Sequence, residues 1–308
     1  CMDLRLHGRS DRVADFPAPH TLRAAAADVV RTLEERGVAT PAALVGHSLG
    51  GKVLLALAAD DELRSRMLEL RSGSATAPRE RGAAPTAAID LPLVIVDSMP
   101  GSRPVTALAA ATDSVGRVLQ LVHDAPRPIP SRAWVSAAAK AAGLDRATAM
   151  WLASTVEHVG AMGEAVTPRG SASGGDAGAG DAGVAGAGGA AGFRWLFDPH
   201  AASELFASYC ATDAWPTLLA PPASVRFDVV MASRSSRWHD EATRASVAAA
   251  TAAAEGRGSD VAFHSVVGGH WLHADNPEGL LSVLERVVGG GRGAASVGSS
   301  GAASMGSG

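Results

Sequence analysis

Val45-Gly46-His47-Ser48-Leu49-Gly50-Gly51-Lys52 is the stretch on which the fold turns. It contains G-x-S-x-G from Gly46 to Gly50. A serine presented on a tight strand-to-helix turn sits in strained backbone, and the residues two positions either side of it are expected to be small. In a chain with 35 glycines this spacing alone is a weak signal, and an incidental serine in a glycine-rich turn is the competing reading. The flanks strengthen it. Ala42 to Val45 reads as a short apolar strand, and Lys52 to Ala59 reads as a helix. A helix that starts directly after Ser48 aims the Leu49 amide at negative charge developing beside the hydroxyl. Ser48 is therefore the candidate nucleophile, and the Leu49 backbone amide is one candidate oxyanion donor.

Working outward, strands and helices alternate. Thr21 to Arg36 places Leu22, Ala26, Val29, Val30 and Leu33 on one helical face and ends before Gly37. Leu93 to Val96 reads as a buried strand between Pro92 and Asp97, and Ser131 to Val159 is helical in pattern. Val225 to Met231 and Val261 to Val267 read as strands, with a helix over Asp240 to Ala254 between them and a closing helix over Pro277 to Val288. Such alternation predicts an α/β fold with a mostly parallel sheet covered by helices on both faces. The stretches 70–88, 170–192 and 289–308 are rich in Gly, Ala, Ser or Pro and are expected to stay outside the core. The predicted division is a core segment over 1–125, an intervening segment over 126–209, a second core segment over 210–288 and a tail over 289–308.

A serine nucleophile needs a base, and the base needs a carboxylate to fix its tautomer. Gly268-Gly269-His270 follows the last predicted strand, which makes His270 the candidate base. His273 is its rival, three residues further on, and is expected to pack locally. Asp275 completes an H-x-x-x-x-D spacing with His270 and is expected to start the final helix. For the acid, Asp97 ends the strand expected beside the Ser48 strand, and so stands at the same sheet edge. Asp97 is preferred over Asp240 and Asp198, and a plain turn before Pro100 is its competing explanation.

Composition bounds the remaining classes. The 308 residues carry a net charge of −4 with basic residues scattered, so neither a nucleic-acid footprint nor a membrane-surface patch is expected. No apolar run is long enough for a transmembrane segment. There is no H-E-x-x-H, C-x-x-C or P-loop, so no metal, nucleotide or other cofactor is expected. Two cysteines, Cys1 and Cys210, cannot form a disulfide framework and make a reducing compartment the default. Cytoplasm and an organelle such as the mitochondrion are left equally open.

Several stretches combine into a resemblance. Asp3-Leu4-Arg5-Leu6-His7-Gly8-Arg9-Ser10, the Val45 to Lys52 stretch, Val96-Asp97-Ser98-Met99-Pro100, Phe193-Arg194-Trp195 and Gly269-His270-Trp271-Leu272-His273-Ala274-Asp275 are similar to one esterase subgroup of the α/β-hydrolases. That subgroup includes bacterial carboxyl and acyl-CoA esterases and α/β-hydrolase domain-containing protein 11. The resemblance runs from Asp3 to about Val288, apart from the insertions. It implies an α/β-hydrolase fold, ester hydrolysis through an acyl-enzyme without a metal, an acid at Asp97, and a small helical cap over 126–209. Members of the subgroup also carry strands before the D-L-R stretch, with a His-Gly loop that gives the second oxyanion amide. The resemblance therefore implies that N-terminal strands are missing. His7-Gly8 is not that loop, since it follows the fourth strand of the pattern.

The expected function is a serine esterase or lipase acting on a small acyl ester or lipid substrate. The alternatives are a catalytically impaired pseudoenzyme or ligand receptor on the same scaffold, and an acyltransferase using the same serine.

Overall fold

The computed structural model describes residues 1–11, 16–38, 41–72, 91–103, 114–159, 192–256 and 260–289. The expected insertions and tail lie outside these residues, except for their ends. Leu70 to Ser72 belong to a helix, Gly192 opens a strand and Gly289 caps the last helix. The chain divides into two compact units, one of Cys1–Arg5, Pro19–Arg103 and Leu205–Gly308, the other of Leu6–Ala18 and Pro104–Glu204.

The first unit is built on four parallel strands in the order β1-β2-β5-β6. They are β1 (Leu44–His47), β2 (Leu91–Val96), β5 (Val225–Ala232) and β6 (Val261–Val266). β2 is buried at every position, as a β-branched strand covered on both faces should be. Alternate residues show what covers it. Val94 and Val96 join Val230, Ala232 and Val266 in a cluster with Val283 and Val287 of α11 (Pro277–Val288). Ile95 points the other way, toward Gly51 of α2 (Leu49–Ala59). Helices therefore lie on both faces of the sheet, as the alternating pattern predicts. β1 forms one edge, and Val45 on it is 53% exposed.

α1 (Leu22–Glu35) buries the predicted stripe together with Ala25, and the Thr21 side chain accepts from the Ala24 amide to cap it. The buried Arg5 guanidinium donates to Asp28 and to the Pro19 and Ala24 carbonyls, pinning the start of the chain to this helix. α3 (Asp61–Ser72) follows α2 directly and was not evident in the apolar pattern. α9 (Glu241–Glu255) begins one residue later than predicted because Asp240 is its N-cap, accepting from the Thr243 amide.

The second unit contains α4 (Ser114–Asp124), α5 (Arg132–Ala141), α6 (Arg146–Ser154) and an antiparallel pair, β3 (Val156–Val159) with β4 (Gly192–Trp195). The helical reading of Ser131 to Val159 thus holds only as far as Ser154. Val156, Trp195, Ile129 and Leu152 share one apolar cluster, and the Trp195 indole donates to the Val122 carbonyl. The partner strand lies over thirty residues further on, which is why local periodicity did not reveal it. α7 (Pro199–Ala211) carries the chain from the second unit to the first, where α8 (Trp215–Leu219) and the single turn α10 (Leu272–Asp275) complete the elements.

Candidate active site

β1 ends at His47, Ser48 follows it, and α2 starts at the next residue. Ser48 has φ +52° and ψ −112°, a conformation that a residue with a side chain rarely adopts. The backbone is held there from both sides: the Ser48 amide donates to the Val96 carbonyl (3.0 Å), and its own carbonyl accepts from the Lys52 amide. A side chain at Gly46 would overlap the Gly50 backbone, which explains the glycine two residues before the serine. The expectation for the other side is corrected. A Cβ at Gly50 would meet nothing within 4 Å, whereas one at Gly51 would lie 2.6 Å from the Ser98 Cβ. The tight approach is therefore at the third residue after Ser48, where α2 rests on the loop after β2. Leu49 is the first residue of α2, where an amide has no partner within its own helix.

The three side chains singled out from sequence are brought together in this unit. His270 Nε2 lies 3.1 Å from Ser48 Oγ, and His270 Nδ1 lies 2.6 Å from Asp97 Oδ2. Asp97 is 1% exposed and also has a positive φ, +42°. Its Oδ1 accepts from the Trp238 indole N–H (2.6 Å) and from the Ala232 amide (3.1 Å). Burial pushes the Asp97 carboxyl up, but the bonds from His270, Trp238 and Ala232 outweigh it and hold it below the ordinary carboxylate range. The carboxylate is thus kept ionised beside the imidazole.

Asp240 and Asp198, the alternative acids, are elsewhere. Asp240 caps α9, and Asp198 accepts from the His200 and Ala201 amides at the start of α7. His273 stacks edge-on against His47 and Trp271, a local packing role as expected. Asp275 does not start the final helix. Asn276 caps α11 by accepting from the Gly279 amide, while Asp275 Oδ2 accepts from the Gly269 amide (2.7 Å) and faces Arg234 (3.5 Å). Asp275 therefore shapes the loop that delivers His270. The H-x-x-x-x-D spacing held that signal, but adjacent Asp and Asn residues made the cap ambiguous.

Two further contacts were not found from sequence. His47 Nε2 lies 2.7 Å from the His270 carbonyl, and burial lowers the His47 pKa, outweighing the opposing effect of that hydrogen bond. With Nε2 protonated in the neutral ring, His47 donates to that carbonyl and fixes the backbone of His270. Trp238 is the other; nothing in the local sequence marks an indole after β5 as a partner of Asp97.

A strand–Ser48–helix turn at the carboxyl edge of a parallel sheet, with a histidine after the last strand, defines the α/β-hydrolase fold. In shape the chain is similar to an N-formylmaleamic acid deformylase from Pseudomonas putida, at 12% identity and a TM-score of 0.46, covering 87% of this chain and 74% of that one. It is also similar to a hypothetical protein from Pseudomonas aeruginosa, at 18% identity and a TM-score of 0.45 over 88% of this chain and 74% of that one. A thioesterase domain from the curacin biosynthetic pathway matches at 16% identity and a TM-score of 0.42, over 86% of this chain and 73% of that one. No family model and no curated protein matches the chain. Among the described residues no helix is long and apolar enough to cross a membrane, and no His/Cys/Asp/Glu group could hold a metal ion.

Proposed function

We propose that this chain is a serine hydrolase that cleaves carboxylic esters through an acyl-enzyme, with Ser48, His270 and Asp97 as its triad. The observation that carries the reading is the unbroken run Ser48 Oγ–His270 Nε2 and His270 Nδ1–Asp97 Oδ2, on a serine with a strained positive φ.

In the acylation step Ser48 Oγ attacks the ester carbonyl carbon while His270 Nε2 takes its proton. Asp97 holds Nδ1–H and stabilises the imidazolium. The tetrahedral oxyanion faces the Leu49 amide at the start of α2. Collapse breaks the bond to the alcohol oxygen, which leaves with the proton from His270. Water then attacks the acyl-serine and gives a proton to His270, which passes it to Ser48 Oγ as the acyl–Oγ bond breaks and the carboxylic acid leaves.

Turnover of p-nitrophenyl acetate and butyrate tests the reading. Ser48→Ala and His270→Ala should each lower kcat by roughly 10⁴-fold or more. Turnover kept within tenfold in either variant would overturn it.

A further inference from the structure

We propose that Lys52 is a positioning residue for this reaction: it holds the Met99–Gly101 segment, and through it Asp97, in place against His270. The inference rests on the serine-hydrolase reading above.

Lys52 lies four residues after Ser48 on α2 and is 0% exposed. Its Nζ donates to three successive carbonyls, those of Met99 (2.9 Å), Pro100 (2.9 Å) and Gly101 (2.7 Å). All three ammonium protons are thereby used. The Tyr209 ring lies 5.0 Å from Nζ on another side. A buried charge is expensive to desolvate, and a methionine at this site would fill similar volume without that penalty. A cation whose three hydrogen bonds go to successive backbone carbonyls acts on backbone shape, because those carbonyls converge on it when the chain curls around Nζ.

That curl begins two residues after Asp97. Ser98, between them, rests on Gly51, so the helix that carries Ser48 also supports the start of the acid loop. The Pro100 carbonyl also accepts from the Ala214 amide, and the Arg103 amide donates to the Cys210 carbonyl, tying the far end of the loop. Nucleophile and acid therefore share one support, with Lys52 as its polar contact. Loss of that contact removes a constraint two residues from Asp97, whose carboxylate lies 2.6 Å from His270 Nδ1.

The charged and titratable groups around Nζ set when the contact is complete. Burial and the neighbouring Arg103 lower the Lys52 pKa to about 8, while Asp213 and Cys210 act in the opposite direction. Burial raises the Tyr209 pKa, so its phenol stays neutral. As pH passes 8 the ammonium becomes an amine with two protons for three carbonyls.

The test is the rate of fluorophosphonate labelling of Ser48, with kcat and KM for p-nitrophenyl acetate, from pH 6 to 10 on the full chain. The variants are Lys52→Met, Lys52→Arg and Ser48→Ala. The wild-type labelling rate and kcat should fall through an apparent pKa of about 8. Lys52→Met should lower both at pH 7 by about 10- to 100-fold, the scale of a misplacement of about 1 Å, and leave KM within about twofold. It should also lose the fall near pH 8. Lys52→Arg, charged throughout this range, should recover part of the rate and show no such fall. Wild-type rates that stay flat from pH 7 to 9.5 overturn the inference without any variant, as does Lys52→Met with the wild-type rate and profile. Labelling or turnover that survives in Ser48→Ala overturns the underlying reading instead.

Discussion

Asp97→Asn changes one atom in the site and should remove most of the rate. Asp97 Oδ1 faces two N–H donors, Trp238 Nε1 at 2.6 Å and the Ala232 amide at 3.1 Å. An asparagine there must keep its oxygen toward those donors, since the opposite flip would set an NH₂ against two N–H groups. Its NH₂ then faces His270 Nδ1, which must accept instead of donate. The proton moves to Nε2, so the ring can no longer take the Ser48 proton. Loss of the correct tautomer costs about 10⁴-fold in kcat, or about 5 kcal/mol of barrier. The fold should survive, because the shape is unchanged and the Trp238 and Ala232 bonds remain. The assay is p-nitrophenyl acetate turnover, normalised to the sites that a fluorophosphonate can titrate. Asp240→Asn and Asp198→Asn are the controls. Both residues cap helix starts, where Asn caps as well as Asp, so kcat should stay within about twofold. An Asp97→Asn protein within tenfold of wild type, or a large loss at Asp240, would refute the reasoning.

Gly51→Ala should lower stability by about 1–3 kcal/mol through overpacking against the Ser98 Cβ, whereas Gly50→Ala should leave the melting temperature unchanged or slightly higher. Thermal melts of the two variants separate these positions. Asp275→Ala frees the Gly269 amide and should cut ester turnover by about tenfold while costing about 1 kcal/mol in urea unfolding. The Lys52 pKa is about 8 in the fold against 10.5 ordinarily, so between these values the unfolded chain holds more protons. Stability from this group therefore rises with pH across that window, by up to about 3 kcal/mol, and urea unfolding of Lys52→Met should lack the rise.

Much of the sheet was legible because its strands are short apolar runs bounded by Pro, Asp or Gly, and because α1 and α11 carry a clear apolar stripe. Ser48, His270 and Asp97 were legible through their place after strands. β1 starts two residues later than the apolar run suggests, since Ala42 and Ala43 carry little preference for a strand. β3 was lost because its partner, β4, is distant in sequence. Trp238, His47, Lys52 and the role of Asp275 depend on which loops meet at the sheet edge. No local pattern encodes that. Lys52 in particular reads as an ordinary helix residue until the Met99–Gly101 carbonyls are seen around it.

The central claim is that Ser48 is the activated nucleophile. Intact-mass and peptide analysis after fluorophosphonate treatment tests it most directly. The account predicts one adduct per chain, on the peptide containing Ser48, with none formed in Ser48→Ala and a strongly slowed reaction in His270→Ala. An adduct on another residue, or equal labelling of Ser48→Ala, would contradict it.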